Sequence, residues 1–186
     1  MWSVVCAPYL AASVLLVAAG LPKLADPLPL VRALRSAGLP SARVLVRVAA
    51  LAEVGIGATA IAVPGRLAAA LVCIAYLIFT AFVIRVLRRG GVLASCGCFG
   101  RADTPATRTH LVLTSALALT AGVAAFAPPP PGVWRALPPA LLAATAGYAA
   151  LLALLAYLVL AVLPRVSATA ITSTARRVAT ADPRKG

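Results

Sequence analysis

LAAALVCIAYLIFTAFVIRVL, residues 67–87, carries a single charged side chain, Arg85, close to its end. About 20 apolar residues cross a bilayer core at the helical rise of 1.5 Å per residue, so this stretch is long enough to span. Four more apolar runs accompany it. Residues 2–21 end at Pro22-Lys23, and residues 44–63 open after Leu39-Pro40-Ser41 and close at Pro64-Gly65. Residues 111–127, the shortest run, stop at the four prolines Pro128 to Pro131. Residues 137–163 begin with Pro138-Pro139, a position where missing backbone donors are tolerated.

Composition agrees with the spans. The 186 residues are 62% apolar and 11% charged, with a mean hydropathy of +1.01, whereas a soluble domain is nearer half apolar. Lipid-exposed backbone must satisfy its own hydrogen bonds, which for runs of this length means helices. The expectation is all-α: a polytopic transmembrane helix bundle of five spans, one domain over residues 1–164 facing the lipid bilayer. Residues 165–186 are expected to form a basic, disordered cytoplasmic tail lying near anionic lipid. A cleaved signal peptide is the competing reading of residues 2–21. No basic residue precedes that run and no small-residue cleavage site stands out, so a retained helix is expected.

The formal charge of +13 would suit nucleic acid, but its distribution does not. With all five runs crossing, 15 of the 17 Lys and Arg residues share one side of the membrane, and only Arg66 and Arg135 lie on the other. Such asymmetry marks the cytoplasmic side and places the N-terminus outside and the C-terminus in the cytoplasm of a bacterial inner membrane. No recognition motif or aromatic interleaving accompanies the charge, so no nucleic-acid partner is expected.

Chemistry concentrates between the third and fourth runs, at Ser95-Cys96-Gly97-Cys98-Phe99-Gly100. A Cys-x-Cys pair can close a small ring, but the short span strains the bond and eases its reduction. Gly97 and Gly100 allow backbone angles that a side chain forbids. Arg88, Arg89 and Arg101 favour thiolate, the attacking species. These features suit a reversible redox pair; a tight turn with packed cysteines is the plain alternative. Soft-metal binding is the third reading, but a structural zinc site needs four ligands, and the sole histidine, His110, is better read as the start of the fourth helix. No metal is expected.

Cys6 and Cys73 each lie about 9 Å in from the outer end of their runs. They can be read as a second thiol pair relaying electrons across the bilayer or as small, soft packing residues. Glu53 is the one acidic residue deep within a run, about 13 Å from its cytoplasmic end. Intramembrane carboxylates are costly and face a bundle interior or a functional path. A structural clamp with Ser13 and Tyr76 at similar depth and a proton- or quinone-linked role fit it equally. Lys23 is expected at the inner interface, its ammonium reaching water or lipid phosphate.

Gly20-Leu21-Pro22-Lys23-Leu24, Leu51-Ala52-Glu53-Val54-Gly55-Ile56-Gly57 and Cys96-Gly97-Cys98-Phe99-Gly100 together resemble the MauE branch of the DoxX-like membrane proteins, over residues 1–127. The resemblance implies a four-helix membrane core linked to methylamine utilisation. It also implies a part in maturing the disulfide-rich small subunit of methylamine dehydrogenase alongside a thioredoxin-like partner. Cys96 and Cys98 would be the redox pair, supported by Gly97, Phe99, Gly100 and Lys23, with Glu53 the family's intramembrane carboxylate. No cofactor is assigned, and a quinone is compatible. Two features depart from the pattern. A fifth span extends the core, and the charge rule puts the Cys-x-Cys loop in the reducing cytoplasm, away from exported substrates. A loop folded back into the bundle, a cytoplasmic thiol partner, or the opposite topology would each reconcile this. Thiol–disulfide exchange is the leading reading; a non-catalytic scaffold for redox enzymes, or a small transporter or soft-metal handler using Glu53 and the cysteines, are the alternatives.

Overall fold

A computed structural model describes residues 2–88, 108–130 and 132–162. The helices run α1 (Trp2–Ala25), α2 (Leu28–Ser36), α3 (Arg43–Ala62), α4 (Arg66–Arg88), α5 (Arg108–Phe126), α6 (Val133–Ala136) and α7 (Pro139–Tyr157). A π-helical turn, Leu158–Val162, continues α7. Five of them, α1, α3, α4, α5 and α7, are long and apolar enough to cross a membrane. The chain is a multi-pass, all-helical bundle, and each predicted run holds one of these helices.

The bundle is organised around α1. Three-fifths of its spanning window is buried (61%), whereas no other span exceeds 28%. Ala7, Ala11, Ala12 and Ala19 are buried along it, and small residues of this kind let neighbouring backbones come close where lipid offers no hydrophobic drive. Around it pack α3, α7 and α5, while α4 packs chiefly on α5. Contact between α3 and α4 is slight by comparison, so those two helices diverge. Outward side chains such as Leu67, Leu119 and Phe126 are exposed and apolar, as a lipid-facing surface requires.

Polar side chains stitch the helices together. Tyr76 on α4 donates from its hydroxyl to the Ala12 carbonyl of α1 at 2.7 Å. Thr80 on α4 meets Thr114 on α5 at 3.1 Å, and Thr114 also donates to the His110 carbonyl. Trp134 Nε1 on α6 donates to the Ile61 carbonyl at 2.8 Å, tying the start of the last span to the end of α3. Removing one such bond while keeping the ring gives a clean test. Tyr76→Phe is expected to cost about 1 kcal/mol, read as a lowered melting temperature in nanodiscs. An unchanged melting temperature would mean that the hydroxyl contributes nothing to α1–α4 docking.

Two local departures from the sequence reading matter. The first helix does not stop at Pro22 but continues to Ala25, with Pro8 and Pro22 inside it. Pro22 cannot donate to the Ala18 carbonyl, yet its own carbonyl accepts from Asp26 N at 2.8 Å, so the last turn closes. Second, the connection to α3 contains α2, an amphipathic helix with Val31 and Ala33 buried and Arg32 and Arg35 exposed. Asp26 Oδ1 accepts from Leu28 N at its start. At its end Gly38 adopts φ 64°, and Leu39 N bonds the Leu34 carbonyl at 2.9 Å, a Schellman-type stop that needs the left-handed residue.

Candidate functional site

Along α3 the buried positions Val46, Ala50, Glu53, Gly57 and Ala60 recur at helical spacing and form the stripe that faces α1. The two helices run antiparallel and come unusually close at two glycines. A Cβ on Gly57 would lie 2.7 Å from the Ser13 carbonyl oxygen and 2.7 Å from Val17 Cγ2. A Cβ on Gly20 would lie 2.9 Å from the Ala50 carbonyl oxygen and 3.2 Å from Glu53 Cβ. Gly20 therefore brings the α3 backbone against α1 at the level of Glu53.

That approach creates a buried ion pair. Lys23 stands three residues after Gly20, on the same face of α1, and helical side chains lean back toward the N-terminus. Its Nζ bonds Glu53 Oε1 at 2.8 Å and Oε2 at 2.7 Å. The two side chains are only 2% and 10% exposed, so both charges are withdrawn from solvent. The ammonium also sits 4.7 Å from the centroid of the Phe79 ring, in cation–π range. Phe79 in turn meets Tyr76 edge-on, with ring centroids 5.8 Å apart.

Two expectations are corrected here. Lys23 is not an interfacial anchor; because α1 continues through Pro22, the residue is carried into the bundle and its charge is answered by Glu53. Nor do Ser13 and Tyr76 bond Glu53, since each donates to a carbonyl of α1, those of Tyr9 and Ala12 respectively. The signal for the true partner was present: a lone carboxylate in a span requires a cation within reach.

The pair lies at the inner end of a cavity of about 980 Å³ between α2, α3 and α4, where the latter two diverge. Leucines of α2, Val46 and Ala49 of α3, and Phe79 and Phe82 of α4 make its walls apolar. Arg85 and Arg88, in the last turn of α4, line it at the other end, and Arg85 Nε donates to the Ala37 carbonyl at 3.0 Å.

Of the remaining candidates, Cys6 and Cys73 are both free thiols. Cys6 packs among Ala7, Leu10 and Ala149, while Cys73 borders the main core and Gly122, so they belong to different clusters. His110 opens α5, buried, with its ring hydrogen-bonded to the backbone of Leu160 in the π-helical turn. Among the described residues no three metal-ligating side chains gather. Cys96, Gly97, Cys98, Phe99 and Gly100 lie outside the described residues, as do Arg89, Arg101 and the tail from 165 onward.

No curated protein and no solved structure matches the chain. The family model described as methylamine utilisation protein MauE matches residues 1–128, which takes in α1 to α5, including Lys23, Glu53 and both cysteines of the 96–98 motif, and leaves α6 and α7 outside. With more than half its length matched and with the helical, membrane-spanning architecture just described, the chain belongs to the MauE family, membrane proteins linked to methylamine utilisation.

Proposed function

We propose that this MauE-family protein exchanges disulfides with a thioredoxin-like partner through Cys96 and Cys98, in the service of methylamine utilisation. The observation that carries the reading is the Cys96-Gly97-Cys98 spacing on the connection from Arg88 of α4 to Arg108 of α5. Thiols one residue apart in a polar, Arg-flanked connection suit reversible exchange better than packing.

In the exchange, a thiolate of one cysteine attacks the partner's disulfide, forming a mixed disulfide and releasing one partner thiolate. The second cysteine then attacks the mixed disulfide and releases the other partner thiol. Cys96 and Cys98 end as a disulfide, and the partner has gained two electrons and two protons. The reverse sequence oxidises the partner. Read with the charge asymmetry, the connection faces the cytoplasm, with the N-terminus outside a bacterial inner membrane; a cytoplasmic thioredoxin-like protein is then the partner.

Trapping tests this. The single variants Cys96→Ser and Cys98→Ser remove the resolving thiol in turn. One of them is expected to accumulate a mixed disulfide with a thioredoxin-like protein on non-reducing gels, and the double variant to accumulate none. Maleimide-PEG labelling of intact cells and inverted vesicles reports the side. Thiols that label freely without prior reduction under every growth condition, with no adduct from either single variant, would overturn the exchange reading and leave a non-catalytic scaffold.

A further inference from the structure

The cavity beside the ion pair has a chemical character of its own. Its walls are mostly hydrocarbon and aromatic, and two membrane-crossing helices, α3 and α4, frame it together with α2, so a lipid-soluble occupant suits it. A volume of about 980 Å³ is at the upper end of what small-molecule sites enclose. Its inner end is polar yet carries no net charge, because Lys23 and Glu53 cancel. Two of the ammonium's three N–H groups are engaged by the carboxylate, which leaves one donor. The carboxylate keeps further lone pairs for an incoming hydroxyl, and its side chain remains one-tenth exposed. Lys23 and Glu53 both line this end, the ammonium almost fully buried against the Phe79 ring and the carboxylate the more open of the two, with Phe79 and Phe82 one helical turn apart on the flanking wall.

An anionic amphiphile does not match this end. Its carboxylate or phosphate would meet a neutral pair with no surplus cation, and its tail, if inserted first, would lie against two charges. What matches is a neutral, lipid-soluble ring whose oxygen can either accept or donate. We infer that the cleft between α2, α3 and α4 binds the head group of a membrane quinone, its ring between Phe79 and Phe82 and one ring oxygen at the Lys23–Glu53 pair. As quinone, the carbonyl accepts from Lys23; as hydroquinone, the hydroxyl donates to Glu53. One pair so offers a partner to each oxidation state. Binding is a property of the described bundle. Use of the ring as electron acceptor for Cys96 and Cys98 rests on the exchange reading: a dithiol closing to a disulfide releases two electrons and two protons, and quinone takes up both to become hydroquinone.

The test is binding of tritiated decylubiquinone to the full chain in phosphatidylcholine nanodiscs, with empty nanodiscs subtracted. Saturable binding is expected. Ala49 is exposed on α3 and lines the cleft, so Ala49→Trp narrows it next to Glu53 while leaving both charges in place. It should weaken binding at least tenfold at an unchanged melting temperature. The paired replacement Lys23→Met with Glu53→Leu, which removes both charges together, should weaken it by at least as much. Non-saturable uptake, or saturable binding indifferent both to Ala49→Trp and to Ala81→Trp, a second exposed lining position on α4, would overturn the inference. So would displacement by equimolar oleate that is lost in Arg88→Gln, which would assign the cleft to an anionic lipid held at its basic end. The binding readout involves no thiol turnover. Its failure leaves the exchange reading standing, and a failed trapping experiment leaves the cleft standing.

Discussion

Lys23→Met, made alone, is expected to destabilise the bundle by about 3–5 kcal/mol, and Glu53→Leu alone by a similar amount. Each single change strands the other charge in a site where solvent reaches neither side chain appreciably. Lys23→Met would leave a carboxylate with both oxygens stripped of their 2.7–2.8 Å donors. Glu53→Leu would leave an ammonium with only the face of Phe79 to meet. The double replacement removes both desolvation penalties at once and should recover most of the loss, since buried pairs exchanged for packed apolar residues are commonly neutral or stabilising. A double-mutant cycle on melting temperatures in nanodiscs measures this coupling. Single variants within about 0.5 kcal/mol of the parent, the range of surface substitutions, would show that water reaches the pair and that it is no buried element.

Spans were legible in the sequence because bilayer thickness imposes a length that few other structures share. Every predicted run holds a crossing helix, displaced at most by a few residues, and the 137–163 run resolves into α7 and the π-helical turn, with the short α6 just before it. Helix ends were less legible. Pro22 reads as a stop, but a bundle that packs small residues on all sides of α1 tolerates the one lost bond. That misreading placed Lys23 at the membrane interface and hid its partner. Glu53 stood out as a costly group, and its isolation in the sequence was the correct signal. The nine residues of α2 carry two arginines and three buried residues, too brief a pattern to separate from a loop, although Gly38 marks its end. Divergence of α3 from α4 is wholly tertiary, and no periodicity announces the cavity it opens. The cysteines are the reverse case: Cys96 and Cys98 lie outside the described residues, so the exchange proposed for them rests on spacing and neighbours alone.

The pair and the cleft make different demands on the fold. A charge pair used only to fix helix register could be packed over completely, as Ser13 and Tyr76 are by bonding carbonyls of α1. Instead the Glu53 side chain borders an apolar cavity and stays one-tenth exposed. Retaining a costly group at the edge of an apolar space is the arrangement expected where polar recognition is needed inside a membrane. The same α1–α3 approach that creates the pair also holds Glu53 in place, because at Gly20 and Gly57 each backbone lies directly against the other helix.

Gly57→Ala is therefore the second change with a large expected effect. The new Cβ would be built 2.7 Å from the Ser13 carbonyl oxygen, 2.7 Å from Val17 Cγ2 and 3.2 Å from Val17 N. Two of these three are backbone atoms inside a helix and cannot rotate away, so α1 and α3 must separate. Overpacking of this kind costs about 1–3 kcal/mol, against at most about 1 kcal/mol gained from alanine's helix propensity. Gly57→Leu should exceed that and prevent recovery of a monodisperse protein. Gly55, two residues away on the same helix, is the control, because its added Cβ would meet nothing within 4 Å. Gly55→Ala is expected to be neutral or to stabilise by up to about 1 kcal/mol. Separation at Gly57 should also reach the ion pair one turn away on the same face of α3. Combined with Gly57→Ala, Lys23→Met should then cost less than it does in the parent chain. Strict additivity of the two changes would mean that the glycine seam and the charge pair are independent, and that the close approach of α1 and α3 does not hold Glu53 in place.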